Sequence, residues 1–486
     1  MAVVNKIGKV MRRNHALANF DQERIVRALR RAADSIRGFD QDYLPGINDR
    51  IFAATGSDSA IAEFLSDLIV ICLNAEPRRL VSNFPPTIEE IQDTVLHVLR
   101  SYGFNITADA YSCFRWGHHW LREGSITEEQ FVRNGYPSKY LNLLLTWNKQ
   151  HNCDTITHLN EVVESGEIGQ LIEDALAYYE ASLDEAADKV MTRIDASDDI
   201  KMIWISGPSS SGKTTTTVKL TKRLEERGLR FLMLNLDDYF WPLTEHPTDW
   251  INDRNYETPA ALDIQLLNEH LRALLDGEAI DKPVYDFKEG RRSNAKRIQR
   301  ESGQILLLDC LHGFYPPITE HIDPTVMFRL YIEAMNPLYE GDGTANRLTR
   351  FEDVRLLRRM LRDIKHRDHP PLSTILHWHY VRMGELFSII PLKGLADHIV
   401  NGGMPFDLPA LKPFFSGSET HWPLSRDLVQ YTSLLDAHIR HARVEKLLQS
   451  VSSLGRSAVE GFDLIPGDAM IREFIGGSTV KIPHNE

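Results

Sequence analysis

Hydrophobic residues recur at helical spacing in the first part of the chain. In FDQERIVRALRRAA, Ile25, Leu29 and Ala32 fall on one face and arginines on the other. The segment TIEEIQDTVLHVLRSYG repeats this pattern, and Thr87 followed by Glu90 predicts a capping box at its start. A further amphipathic stretch, GQLIEDALAYYEASLDEAADKVMTRID, comes later. These patterns predict a mainly helical N-terminal domain followed by a helical connector.

Beyond Lys201 the pattern changes to short apolar runs separated by segments of helical length. The five runs are MIWIS, RFLMLNL, QILLLDC, VMFRLYI and HIVNG. Short apolar runs that alternate with helices are typical of a parallel sheet covered on both faces. The sequence therefore predicts an α/β domain with a five-stranded parallel sheet flanked by helices. The segment SRDLVQYTSLLDAHIRHARVEKLLQSVSSLG then predicts a helix in a C-terminal tail.

Composition is that of an ordinary globular protein. The chain has 486 residues, of which 42% are apolar and 25% charged, which is enough for several domains with their own cores. We predict four segments from the changes in pattern: a helical domain at 1–122, a helical connector at 123–200, an α/β domain at 201–415 and a helical tail at 416–486.

Charge and cysteine content narrow the partners and the compartment. Lysine and arginine number 55 and aspartate and glutamate 68, so the net charge of −13 repels nucleic acid and anionic membranes. The four cysteines form no CxxC pair, so neither a disulfide framework nor a zinc ribbon is predicted. The sequence also contains neither a signal-peptide pattern nor a run of about 18 apolar residues. We therefore expect a cytoplasmic protein with no nucleic-acid or membrane partner.

The strongest motif is GPSSSGKT, which follows the first apolar run of the α/β domain and precedes a helical segment. It fits G-x-x-x-x-G-K-[ST], the phosphate loop of nucleotide-binding proteins. Its glycines let the backbone approach phosphate, and successive N–H groups with a helix N-terminus supply positive potential. Lys213 is predicted to meet the β and γ phosphates and Thr214 to bind Mg²⁺. The residues predicted to bind nucleotide here are Gly207, Ser209, Ser210, Ser211, Gly212, Lys213, Thr214 and Thr215.

Acidic residues follow two of the predicted strands. Asp237 and Asp238 directly follow RFLMLNL, and Asp309 is the next-to-last residue of QILLLDC. Mg²⁺ needs oxygen ligands, and an attacking hydroxyl needs a group that orients or deprotonates it. We interpret Asp309 as the second metal ligand, beside Thr214, and Asp237 as the base that faces the acceptor.

Several motifs together resemble a known family. LDDYF, NYETPAALD, LLNEHLRALLDGEAIDKPVYDFKEGRR, ILLLDCLHGFY and RLLRRMLRDIKHRD stand in the order found in the uridine kinase and phosphoribulokinase group of P-loop kinases. The resemblance covers about residues 201–415, and MIREFIGGS near the C-terminus is similar to the tail of the bacterial uridine kinase-like branch. It implies a P-loop kinase that uses ATP and Mg²⁺ to phosphorylate a hydroxyl of a nucleoside, a sugar or a related polyol.

The resemblance also assigns roles to individual residues. Asp237 matches the catalytic aspartate, Tyr285 an aromatic residue of the acceptor pocket, and Glu257 the position of an aspartate that grips ribose hydroxyls. The implied acceptor-binding residues are Asp237, Tyr239, Glu257, Tyr285 and Arg292. The implied arginines of the lid that closes over the phosphates are Arg358, Arg359, Arg362 and Arg367, with Arg362 and Arg367 acting in catalysis beside Lys213 and Asp237.

Two departures from the family pattern leave the identity of the acceptor undecided. Gly290 stands at the spacing where uridine kinases carry a histidine that reads the base. Asp309 and Cys310 replace the usual Glu-Gly after the third strand, which keeps a carboxylate but shortens its reach. A nucleoside, a sugar and another small polyol all remain candidates.

The N-terminal region resembles the ATP-cone, a helical module that binds adenine nucleotides as an allosteric signal. The likeness covers about residues 4–121, from VMRRNHALANFDQERIVRALRRA to an ending that matches the AxxYxxYR pattern. It implies a regulatory nucleotide site formed by Val10, Arg12, Arg13 and Arg24. A module that only mediates oligomers is the alternative, and a homo-oligomer is expected in either case.

Two functions are therefore compatible with the sequence. One is an ATP-dependent kinase regulated by adenine nucleotides, and the other is a nucleotide-binding regulatory switch without metabolite kinase activity. The kinase needs an acceptor base and a lid, and Asp237 with the arginine-rich segment supplies both. A repressor would need a basic reading surface or a zinc ribbon, and the sequence shows neither. These features favour the kinase.

Overall fold

A computed structural model describes residues 5–42, 56–78, 84–132, 138–196, 200–246, 248, 254–286, 289–344, 348–367, 369–417 and 421–481. The N-terminal region begins with an antiparallel hairpin and continues with helices around one hydrophobic core. The hairpin strands are β1 (Lys9–Met11) and β2 (Leu17–Asn19), and the helices are α1 (Glu23–Ser35), α2 (Asp58–Ala75), α3 (Ile88–Ser101) and α4 (Asn105–Arg122).

The capping box predicted at the start of α3 is present. The Thr87 side chain accepts from the Glu90 N–H at 3.1 Å, and the Glu90 carboxylate accepts from the Thr87 N–H at 2.8 Å. Two of the unpaired donors at the helix start are thereby satisfied, which fixes where α3 begins.

Three helices connect this region to the sheet. They are α5 (Ser138–Gln150), α6 (Ile156–Ser165) and α7 (Ile168–Asp195). The apolar face of α7 is buried in the same cluster as one face of the sheet, and Leu183 and Val190 have no exposed surface. The long amphipathic connector predicted from the sequence is thus part of the core that supports the sheet.

The predicted five-stranded parallel sheet is confirmed, with all neighbouring strands parallel. Its strands are β3 (Met202–Ser206), β4 (Arg230–Asn235), β9 (Gln304–Cys310), β10 (Met327–Glu333) and β11 (His398–Asn401), in the order β11-β10-β3-β9-β4. Side chains alternate between the faces: Ile203 and Ile205 enter one hydrophobic cluster, while Met202 and Trp204 enter the other. Both faces are covered, which explains the continuous apolar runs.

Short elements surround the edge of the sheet where its strands end. The helix α8 (Lys213–Glu225) follows β3, and a 3-10 turn at Leu236–Tyr239 follows β4. Two antiparallel strand pairs come between α9 (Ile264–Leu275) and β9 along the chain. They are β5 (Ala279–Lys282) with β8 (Lys296–Gln299), and β6 (Tyr285–Asp286) with β7 (Arg291–Arg292). The helix α10 (Pro316–Thr319) lies between β9 and β10.

The C-terminal half adds α11 (Phe351–His366), α12 (Pro371–Ser388) and α13 (Asp407–Leu411). The tail contains α14 (Ser425–Leu428), α15 (Leu435–Ser450), α16 (Arg456–Glu460) and α17 (Arg472–Ile475). The single long helix predicted in the tail is therefore wrong, because the chain turns between α14 and α15. Thr432 and Ser433 lie at this turn, and such residues compete with helical backbone hydrogen bonds. In the parts of the chain that the structure describes, no helix has both the length and the apolarity to cross a membrane.

Candidate active site

The loop between β3 and α8 has the close backbone approach that its sequence predicts. A Cβ atom on Gly207 would lie 1.9 Å from the carbonyl oxygen of Ile332, so any side chain there would collide with backbone. Gly212 has a φ of 93°, and Ser210 has a φ of 59°. These left-handed conformations turn the loop tightly into the start of α8.

The lysine of this loop is folded onto the loop itself. Lys213 Nζ donates to the carbonyl oxygens of Gly207 at 3.0 Å and Pro208 at 3.1 Å. Burial lowers the pKa of Lys213, while the nearby Asp309 carboxylate acts in the opposite direction. The ammonium group therefore lies inside the loop, close to Asp309.

Asp237 and Asp309 lie at the same edge of the sheet. Asp309 pairs in register with Ile205 of β3 and Asn235 of β4, because β9 lies between those strands. Asp237 comes two residues after Asn235, whose side chain accepts from the Asp237 N–H at 3.0 Å. Parallel strands present their carboxyl ends together, so both acidic residues are close to the phosphate loop, as expected from the sequence.

Asp238 has a different environment from its neighbour. Its carboxylate forms an ion pair with Lys282 and accepts from the Tyr285 N–H at 3.1 Å. These contacts tie strands β5 and β6 to the turn after β4. Asp238 thus holds the wall of the site, and Asp237 is the acidic residue of this pair that lies toward the arginines, since its charge acts on Arg367.

Two of the residues predicted to bind the acceptor brace the site from within. Tyr239 is fully buried, and its hydroxyl lies 2.9 Å from His270 Nδ1. Arg292 donates to the carbonyl oxygens of Tyr239 and Phe240 at 2.9 and 3.1 Å and to Asp263 at 3.1 Å. The polar atoms of both side chains are hydrogen-bonded to other groups of the protein. This arrangement differs from the direct contact with the acceptor that was predicted for them.

Glu257 and Tyr285 are also buried. The Glu257 carboxylate forms an ion pair with Arg359 at 2.6 Å. Burial alone would raise the pKa of Glu257, but Arg359 and His377 outweigh it and lower this pKa to about 2. The Tyr285 ring lies 5.7 Å from that of Phe240. Glu257 is therefore ionised and engaged with the arginine helix in this conformation.

The glycine found in place of the base-reading histidine has a packing reason. Gly290 has a φ of 64°, and a Cβ there would lie 2.3 Å from a methyl carbon of Leu243. Leu243 fills the space that a side chain would need, so a histidine does not fit at this position without rearrangement.

The arginine helix α11 is buried, whereas a lid arginine set was expected to face phosphate. Arg355 pairs with Glu385 and donates to the Ser209 carbonyl oxygen at 3.0 Å. Arg358, with no exposed surface, pairs with Asp407 at 2.7 Å and donates to the Gly402 carbonyl oxygen at 2.8 Å. A buried guanidinium needs such partners. Arg358 also donates to the Ser210 carbonyl oxygen at 3.4 Å, so its guanidinium supports the phosphate loop through the backbone, which differs from the predicted contact with phosphate.

The other lid arginines gather around one carboxylate. Asp363 lies 3.2 Å from Arg359, 3.1 Å from Arg362 and 3.7 Å from Arg367. Arg359 also reaches the Ser209 hydroxyl at 3.2 Å. The positive charge of Arg362, together with burial, lowers the pKa of Arg367 to about 10. Arg362 and Arg367 thus form a concentrated positive region near Asp237, which is suited to anionic phosphate.

Several of these partners were not predicted from the sequence. Asp363 follows Arg359 and precedes Arg367 by four residues each, a helical spacing that could have indicated the cluster. Glu385 and Asp407 come from distant segments and carry no local motif. Their role depends on tertiary packing that a motif does not encode.

The predicted regulatory residues lie in and near the first hairpin. The Val10 side chain in β1 is buried, whereas the sequence predicted that it would contact a nucleotide. Arg12 and Arg13 are exposed at the turn, and Arg13 pairs with Glu89 at 2.6 Å. Arg24 lies exposed on α1, 3.5 Å from Asp21.

A chain of ion pairs connects the N-terminal region to the phosphate loop. Asp109 on α4 accepts from Arg382 on α12 at 2.9 Å, and Arg382 pairs with Glu385 at 2.6 Å. Glu385 in turn pairs with Arg355, which holds the Ser209 carbonyl oxygen. Each link is largely shielded from water, so it is only weakly screened by salt.

The donors near the loop fit a magnesium ion. Thr214 offers a hydroxyl in the first turn of α8, and Asp309 a carboxylate at the end of β9. Both are hard oxygen donors of the kind Mg²⁺ prefers. Within the described ranges, no group of three or more His, Cys, Asp or Glu residues could hold a metal by itself.

Comparison with known proteins agrees with the geometry. The family model "Phosphoribulokinase / Uridine kinase family" matches residues 202–338, and the model "ATP cone domain" matches residues 8–119. A uridine kinase from Deinococcus deserti is 34% identical over 205 residues, which are 42% of this chain and 88% of that protein. Uridine kinases from Anoxybacillus flavithermus and Halalkalibacterium halodurans are 32% and 30% identical over 203 residues each, covering 42% of this chain and 86% of each relative.

Both predicted resemblances are thereby confirmed. The N-terminal match agrees with the hairpin and helices that precede the sheet. The curated relatives match over 86–88% of their own length, and the family model at residues 202–338 covers the phosphate loop, Asp237 and Asp309. The chain therefore belongs to the phosphoribulokinase and uridine kinase family and is an ATP-dependent phosphotransferase with an alcohol group as acceptor.

Proposed function

We propose that this protein transfers the γ-phosphate of ATP to a hydroxyl of a nucleoside, a sugar or a related small polyol. The observation that carries this proposal is the convergence at one sheet edge of the phosphate loop, the Asp237 carboxylate and the Arg362–Arg367 pair. A phosphoryl transfer site needs these three elements close together: a phosphate cradle, a group for the acceptor hydroxyl and positive charge for the moving phosphoryl group.

Each element has a distinct task in the proposed reaction. The loop N–H groups and Lys213 hold the β and γ phosphates. Arg362 and Arg367 stabilise the negative charge that spreads over the transferring phosphoryl oxygens. Asp237 accepts a hydrogen bond from the acceptor hydroxyl, aligns it for in-line attack and takes its proton. Thr214 and Asp309 would hold Mg²⁺, which supplies charge neutralisation on the phosphates when bound.

The acceptor is proposed to lie between Asp237 and the hairpin that carries Tyr285. Leu243 packs against Gly290 on this side, so the wall is apolar where uridine kinases carry a histidine. The side chains at these two positions offer no hydrogen bond to a base edge. This favours recognition through hydroxyl groups over recognition of one nucleobase.

The test is a panel of nucleosides, sugars and polyols, each assayed for ATP consumption with Mg²⁺. We expect ADP formation that depends on the added compound, together with a phosphorylated product identified by mass spectrometry. A deoxy analogue that lacks the accepting hydroxyl is the matched control and should remain unmodified. ATP binding without transfer to any hydroxyl compound in the panel would instead favour a nucleotide-binding switch.

We also propose that an adenine nucleotide bound at the N-terminal domain regulates this transfer. The chain from Asp109 through Arg382 and Glu385 to Arg355 supports a coupling, because the last link holds the carbonyl oxygen of Ser209 in the phosphate loop. A coupling of about 1–3 kcal/mol is typical of allosteric proteins. It corresponds to a change of roughly 5- to 150-fold in the affinity for ATP at the phosphate loop.

Replacing both Arg12 and Arg13 by alanine should abolish the response of activity to dATP or ATP and leave basal phosphorylation intact. Both side chains are exposed at the turn of the N-terminal hairpin, whereas Lys213 belongs to the α/β domain. Asp109→Asn is a complementary variant that should keep nucleotide binding at the N-terminal domain and weaken its effect on rate. The measurements are binding stoichiometry by calorimetry and particle mass with and without nucleotide. One nucleotide per chain, with no change in mass or rate, would reduce this domain to an assembly element.

A further inference from the structure

The C-terminal segment places a carboxylate on the phosphate-loop helix. Glu473 on α17 accepts from the Thr215 N–H at 3.3 Å and from the Thr215 hydroxyl at 2.7 Å. Thr215 is the third residue of α8, so its N–H is one of the donors that the helix itself leaves unpaired. Glu473 lies more than 250 residues further along the chain and is largely buried.

The same donors belong to the motif that binds nucleotide phosphates. The start of α8 attracts anions through its N–H groups and its dipole, and a carboxylate is such an anion. A triphosphate and the Glu473 carboxylate cannot both take the Thr215 N–H. A phosphate and a carboxylate that lie side by side in a shielded site also repel each other.

The segment around Glu473, residues 468–475, is firmly seated against the loop. The position of a Cβ on Gly212 would lie 2.5 Å from the Met470 sulfur, which packs directly over the loop. The Arg358 guanidinium lies 5.1 Å from the centre of the Phe474 ring, and Lys365 donates to the Ile475 carbonyl oxygen. Met470 and Phe474 have no exposed surface. The contact is thus part of a packed surface.

We propose that residues 468–475 form an intramolecular cover of the nucleotide site, in which the Glu473 carboxylate occupies the place of a nucleotide phosphate. ATP must displace this carboxylate to bind, so the segment holds down the affinity for ATP. The inference rests on the proposed use of ATP at this loop.

The variants Glu473→Gln and Glu473→Ala test this inference, with ATP affinity measured by calorimetry and KM for ATP and acceptor measured separately. If the covered form holds about nine-tenths of the molecules, removal of the charge should tighten ATP binding by about tenfold. KM for ATP should fall accordingly, while KM for the acceptor should stay the same. Unchanged or weaker ATP binding in both variants would overturn the proposal and leave Glu473 as a helix cap or a part of the nucleotide site.

Asp468→Asn is the matched control, since it removes a carboxylate from the same segment. Asp468 pairs with Lys219 at 3.1 Å, one turn further along α8 than Thr215, and is exposed. ATP affinity should change less than twofold in this variant. If the kinase proposal itself were wrong, all of these variants would bind ATP as described but none, including the wild type, would phosphorylate an acceptor.

Hydrogen exchange on the wild-type protein tests the same inference without substitution. A non-hydrolysable ATP analogue should speed exchange in residues 468–475 while it protects the phosphate loop, because the cover must leave as the nucleotide enters. Stronger protection of residues 468–475 in the presence of the analogue would contradict the proposal, since it would mean that the segment closes over bound nucleotide.

Discussion

Replacing Lys213 by alanine is expected to reduce phosphoryl transfer by several orders of magnitude. Lys213 is the only lysine of the phosphate-loop motif. Its positive charge is predicted to contact the β and γ phosphates, where negative charge shifts during transfer. Lys213 Nζ now donates to the carbonyl oxygens of Gly207 and Pro208, which places it inside the loop that a triphosphate would occupy. The loss should appear in kcat at saturating ATP and acceptor.

The fold should persist in this variant. Lys213 lies outside the hydrophobic clusters that hold the two faces of the sheet, so its removal should leave the melting temperature close to that of the wild type. Lys222→Ala is the matched control, because Lys222 is exposed on the same helix and faces solvent. Its turnover should stay within about twofold of wild type, as for most surface substitutions. Near wild-type turnover for Lys213→Ala would refute the kinase assignment and favour the nucleotide switch.

The sheet and the phosphate loop were predictable because their signals are local. Each of the five strands is a short apolar run. Ile203 and Ile205 point to one face of the sheet and Met202 and Trp204 to the other, so a run that is apolar throughout indicates that both faces are covered. The loop motif is contiguous, and its glycines are required by the backbone geometry. Asp237 and Asp309 were expected after the ends of two strands, and parallel strands end at the same edge of a sheet.

The environment of the arginine helix was not predictable in the same way. An arginine-rich helix is usually a solvated face, but here three carboxylates from separate parts of the chain neutralise it: Glu257 before α9, Glu385 on α12 and Asp407 on α13. No sequence spacing links these residues to Arg355, Arg358 and Arg359. Arg355 and Arg359 contact the phosphate loop at Ser209, while Arg362 and Arg367 lie near Asp237, and their role over the phosphates stays a prediction.

The C-terminal contact illustrates the same limit. MIREFIGGS could be linked to a family from its sequence, but its amphipathic pattern is too short to indicate a partner. Docking on the loop depends on Met470 and Phe474 filling space beside Gly212 and Arg358. Such shape complementarity between distant segments follows from tertiary packing and leaves no periodic signal.

Replacing Asp237 by asparagine is expected to lower turnover by roughly 10² or more while ATP affinity stays within a few-fold of wild type, since this is the scale of general-base loss. Asparagine keeps the size and the hydrogen-bonding reach of the side chain but cannot take the proton of the acceptor hydroxyl. The Asn235 side chain should still accept from the N–H of residue 237, so the turn after β4 is preserved. The measurements are single-turnover kinetics and ATP titration on the same preparation.

Asp238→Asn separates this chemical loss from a structural one. Its carboxylate is already engaged by Lys282 and by the Tyr285 N–H, so neutralising it should break a shielded ion pair and lower the free energy of unfolding by about 3 kcal/mol. Asp237→Asn should leave the free energy of unfolding nearly unchanged, because its predicted task concerns the acceptor. If ATP affinity collapsed in Asp237→Asn instead, Asp237 would be a metal ligand, and the roles assigned to Asp237 and Asp309 would have to be exchanged.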